Sequence, residues 1–74
     1  MEKTTILTND KVTAVFHQDK FAKDSKVYVS HLISYYTVDG NLLKEGNVTK
    51  EAGISAFKKL ISKGYKVVAK VERV

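Results

Sequence analysis

At 74 residues the chain makes one small domain, of a size that buries only about 60% of the surface its unfolded form exposes. The absence of cysteine excludes disulfides and thiolate metal sites, two common ways of reinforcing so small a core. Thirteen basic residues against eight acidic ones give +5, with 43% hydrophobic residues, which argues for a packed core and for anionic partners, and against disorder.

No apolar run approaches the roughly 18 residues of a membrane span, and the start, Met1 to Thr5, lacks the basic-then-apolar pattern of a signal peptide. The expectation is a soluble, cytoplasmic protein without a membrane partner.

Thr4 to Thr8 is short and β-branched, which predicts a first strand. Asn9-Asp10 reads as a turn, and Val12 to Phe16 as the second strand of a hairpin. His17 to Lys26 is polar and irregular, with Phe21 its one large apolar residue, so a loop with a single anchor is expected there. Val27 to Val38 alternates as the longest strand. Val29, His31, Ile33 and Tyr35 fall on one face, and Tyr28, Ser30, Leu32, Ser34 and Tyr36 on the other. Asp39-Gly40 is a hairpin signal, Asn41 to Glu45 can return antiparallel, and Gly46 ends that return.

From Asn47 onward the local signals agree. Asn47 or Thr49 can cap a helix, and Glu51 in its first turn suits the positive end of the macrodipole. At a helical period Ile54, Phe57, Leu60 and Ile61 share one side, with Lys59 and Lys63 nearly opposite. Gly64 sits where a left-handed stop belongs, and Tyr65 to Glu72 alternate as a last strand. The order is β-β-β-β-α-β, an α+β fold: an antiparallel sheet of about five strands with one helix on one face. The expected core adds Ile6, Val12 or Val15, Val29, Ile33, Val67 and Val71 to the helix residues. One helix is roughly 10 Å wide, whereas five strands span about 20 Å, so much of the sheet is left for solvent, a partner or a second copy. Self-association into a homo-oligomer is expected on that ground.

The chemistry-bearing residues do not assemble into a reaction centre. His17 and His31 lack a third ligand at metal-site spacing. Ser30 and Ser34 flank His31 in sequence, but neighbours on a strand point to opposite faces. No Gly-x-Ser-x-Gly elbow occurs, and the glycines at 40, 46, 53 and 64 are too dispersed to cradle a phosphate. A chain this short also has difficulty enclosing a pocket of about 300 Å³. The sequence therefore predicts no enzyme, no catalytic residue, no metal and no cofactor.

Binding is the better expectation. Lys58, Lys59, Lys63, Lys66 and Lys70 are candidates for phosphate contacts, and Tyr28 and Tyr36 for stacking on bases. Twelve of the thirteen basic residues are lysine, and a point charge favours backbone contact over base readout. The favoured function is a small nucleic-acid-binding protein. The alternative is a protein-binding regulator or inhibitor, of the accessory kind found in phages and bacteria, using the uncovered sheet face.

Overall fold

A computed structural model describes residues 2–73. Five strands and one helix follow in the order β1 (Glu2–Thr8), β2 (Val12–Lys23), β3 (Lys26–Thr37), β4 (Leu42–Val48), α1 (Lys50–Ser62) and β5 (Lys66–Arg73). The strands form one antiparallel sheet in the spatial order β4-β3-β2-β1-β5, so β4 and β5 are its edges. The α+β architecture expected from the sequence is the one observed.

Each connection has a local cause. The Asn9 carboxamide oxygen accepts from the backbone N–H groups of Lys11 and Val12 at 2.8 and 2.7 Å, which closes the first hairpin. Gly40 takes φ +86°, the positive value that the β3–β4 turn requires. Thr49, rather than Asn47, caps the helix: its hydroxyl accepts from the Ala52 N–H at 3.1 Å, while Asn47 lies in β4. At the other end, Gly64 at φ +94° lets its N–H reach the Ile61 carbonyl and the Tyr65 N–H reach the Leu60 carbonyl, both at 3.1 Å. These two bonds make a Schellman stop.

The largest departure from expectation is the segment from His17 to Lys26. It is no loop: β2 continues to Lys23, and β3 begins at Lys26. Asp24 and Ser25, both at positive φ (52° and 63°), form the two-residue reversal whose twist matches a hairpin. The sequence conceals this because residues Lys20 to Val29 are all exposed, so no buried face imposes a period of two. Among the described residues β1 pairs with β2 as far as Asp19, and β4 with β3 as far as His31. From Phe21 on β2 and Ser30 on β3 outward, the two strands pair with each other as an arm that contributes to a 43 Å long axis.

The helix spans about 20 Å, close to the width of the four strand-to-strand steps it must cross. It leaves β4 at Val48, level with the row Lys3–Gln18–His31, and enters β5 at Lys66, level with Thr8 and Thr13. It therefore crosses the sheet on a diagonal. Phe57 meets Phe16 edge to face, ring centroids 5.7 Å apart, and this identifies the covered face as the one bearing Lys3, Thr5, Leu7, Ala14, Phe16, Gln18, His31 and Ile33.

The buried apolar core is small: Leu7, Ala14, Ile33 and Leu60. Ile33 and Leu60 are where the sequence placed them, and Leu7 and Ala14 replace several expected members. Ile6 pairs with Val15 and Ala69 on the open face and is only half-buried. Thr4 to Thr8 does not alternate, so the sequence alone does not fix which of Ile6 and Leu7 points inward. Val12 and Val15 are half-buried. Val29 lies on the unsupported arm, and Val67 and Val71 lie on the edge strand; all three are exposed. Ile54 and Ile61 are also exposed, because the helix presents Gly53, Ala56, Phe57 and Leu60 to the sheet and holds these two on its flank.

Candidate nucleic-acid interface

Strand register and helix phase divide the charged side chains between the two sides of the sheet. On the helix-bearing side the strands place Lys3, Lys20, Lys44 and Lys70, and α1 with its cap adds Lys50, Lys58, Lys59 and Lys63. Glu51 and Glu72 are the acidic residues among them. On the open face Lys23, Lys26, Lys66 and Arg73 are nearly balanced by Glu2, Asp19 and Glu45. The turns carry Asp10, Asp24 and Asp39 against Lys11. The whole of the +5 excess thus sits on the helix-bearing side.

This separates the expected site residues into two groups. Lys58, Lys59, Lys63 and Lys70 share the cationic side. Lys66 pairs with Thr8 and falls on the open face, in the same row as Thr13 and Tyr36 but about 14 Å from Tyr36, since β5 and β3 are three strand spacings apart. Tyr28 and Tyr36 are on that face too, yet eight positions apart on β3, on the order of 26 Å. They do not form one stacking platform. Tyr36 is half-buried against β2 and β4. Tyr28 sits on the arm, its ring stacked on Phe21 with centroids 5.7 Å apart and planes 23° from parallel.

The diagonal path of the helix leaves a cleft that the sequence reading missed. It is about 270 Å³ in volume. Phe16 and Ile33 form its floor, Ile54 and Phe57 one wall, and Val48 and Gly53 its end. Gln18 and His31, directly opposite each other on β2 and β3, bring polar groups into it, and Lys3 and Lys50 stand at its rim. Gly53 keeps the end open: a Cβ there would meet only the Val48 side chain, at an ordinary 3.7 Å. The signal for this site is the position of Gln18, which aligns with His31 only because β2 runs past Phe16.

Two polar pairs are used internally. The Thr4 hydroxyl and His17 Nδ1 are 3.0 Å apart on the open face, and the buried Ser34 donates to Glu45 Oε2 at 2.9 Å. His17 and His31 lie on opposite faces of the sheet, so they cannot share a ligand. Among the described residues no group of three histidine or acidic side chains is placed to hold a metal ion, and no helix is long and apolar enough to cross a membrane. Compared with protein-family models, curated proteins and solved structures, the chain matches none.

Proposed function

We propose that this protein is a non-enzymatic nucleic-acid-binding protein whose helix-bearing side lies against the phosphate backbone. The observation that carries the reading is the one-sided charge. Lysines from four strands and from α1 converge on that side, whereas the open face is nearly neutral. Like charges gathered on one surface repel in the free protein, and a polyanion relieves that repulsion while releasing its own counterions. The lysines used are Lys58, Lys59, Lys63 and Lys70, joined by Lys3, Lys44 and Lys50. Fluorescence anisotropy of labelled DNA and RNA across a salt series tests it. The expected result is an affinity whose logarithm falls linearly and steeply with the logarithm of salt concentration. Affinity that does not respond to salt, or no binding at low salt, overturns the reading.

A second reading, capture of a protein or of another copy of the chain, is favoured by the arm. Phe21, Val27, Tyr28 and Val29 are all exposed there, and a two-stranded ribbon without other support is marginal in water. A partner that packs on the arm would stabilise it. Sedimentation velocity over a range of protein concentrations tests the homo-oligomer form of this reading, and a single monomeric species throughout would eliminate it.

A further inference from the structure

We propose that the cleft between α1 and the sheet seats one unpaired base of a single-stranded nucleic acid, an inference that rests on the nucleic-acid reading above and assigns it a strand form. Three features converge. The volume of about 270 Å³ is just below the usual range for small-molecule sites, roughly 300–1,000 Å³, and suits one planar ring system. Phe16, Phe57 and Ile54 give apolar and aromatic surfaces on which any base can stack. Gln18 supplies both an amide donor and a carbonyl acceptor, and His31 adds a ring nitrogen, the mixed set that a base edge requires. Among the described residues neither side chain is engaged in a hydrogen bond within the chain.

The rim supplies the backbone contacts. Lys3 and Lys50 flank the opening, where the phosphates on either side of a seated base would run. Lys3 Nζ is 3.8 Å from Glu72, with both side chains at least half exposed, a contact weak enough to be exchanged for a phosphate. A duplex cannot use the cleft without extruding a base, which costs a few kcal/mol of stacking and pairing. A single strand is thereby preferred over a duplex, although both meet the same lysines.

The test uses anisotropy with oligothymidylate and a duplex of equal length, on the wild-type chain and on Gly53→Leu. Leucine at this position projects a branched side chain into the end of the cleft beside Val48, removes a helix-interior glycine and leaves every lysine in place. Wild type is expected to favour the single strand by about tenfold, the worth of one base stack. Gly53→Leu is expected to lose that preference, with unchanged duplex affinity and no fall in melting temperature. Independently of any variant, thymidine monophosphate titrated into the isotopically labelled wild type should shift the amide signals of Gln18, His31 and Gly53. Equal affinity for both strand forms, a preference that survives Gly53→Leu in a folded protein, or shifts confined to Phe21 and Tyr28 would overturn the cleft assignment while leaving salt-dependent binding intact. Absence of binding to either strand form would remove the underlying reading with it.

Discussion

Phe21 and Tyr28 face each other across the β2–β3 arm and stack with centroids 5.7 Å apart, beyond the last residues that β1 and β4 support. They are the one ring pair on the arm, whose tip places Lys23 directly opposite Lys26, a repulsive cross-strand pair. The stack therefore adds a side-chain contact to the backbone ladder that runs through the arm. Phe21→Ala should speed amide exchange from Lys20 to Val29 while changing global stability by no more than about 0.5 kcal/mol, since neither ring is in the core. Hydrogen exchange read residue by residue, beside a urea melt, checks both halves. A large loss of global stability would show that the arm is packed against something.

Leu60 and Ile61 are adjacent in the helix and equally apolar, yet Leu60 is 7% exposed and Ile61 44%. Leu60→Ala removes a buried side chain from a very small core and should cost about 2–5 kcal/mol. Ile61→Ala should cost less, about 1 kcal/mol, because nearly half of the residue is already in water. In a domain of this size the first loss can exceed the total stability. Denaturant melts of the two variants separate them, and comparable losses would place Ile61 in an interface.

The helix ends make a sharper pair. Thr49→Ala removes the hydroxyl that accepts from Ala52 and should destabilise by about 1 kcal/mol, whereas Asn47→Ala should leave the helix end unchanged because Asn47 belongs to β4. Gly64→Ala forces a β-carbon into φ +94° and should cost roughly 1 kcal/mol or more. Thermal melts under one set of conditions rank the three. Asn47→Ala proving the worst would reassign the cap.

How much of this was legible in the sequence follows from where each signal came from. The helix stop at Gly64 and the turn at Gly40 were readable because only certain residues tolerate positive φ. Ile33 and Leu60 were readable because burial on one face imposes a period. The β2 half of the arm was not readable: with both faces in solvent, Lys20 to Lys26 carry no such period, and the Asp24-Ser25 turn lacks the glycine that usually marks one. The choice between Ile6 and Leu7 was decided by tertiary structure, through pairing with β5 and packing under α1. The cleft depends on both, since it needs the full length of β2 to align Gln18 with His31 and the diagonal of α1 to leave that corner open. The lysines of α1 were recognised as a group, but the neutrality of the opposite face emerges only once strand register is known.

That asymmetry gives the last prediction, which compares the two sides of one sheet at equal charge change. Lys58→Glu with Lys59→Glu alters the net charge by the same amount as Lys23→Glu with Lys26→Glu. If binding followed net charge alone, the two double variants would weaken nucleic-acid affinity equally. If the helix-bearing side is the contact surface, the α1 pair should lose affinity by one to two orders of magnitude and flatten the salt slope by about two, one unit for each lost phosphate contact. The arm pair should then change affinity only through the long-range field, an effect that fades as salt shortens the screening length below about 10 Å. All four side chains are exposed, so stability should move little in either variant and does not confuse the comparison. Anisotropy at two salt concentrations decides it. A larger loss from the arm pair would move the interface to the open face, beside Phe21 and Tyr28.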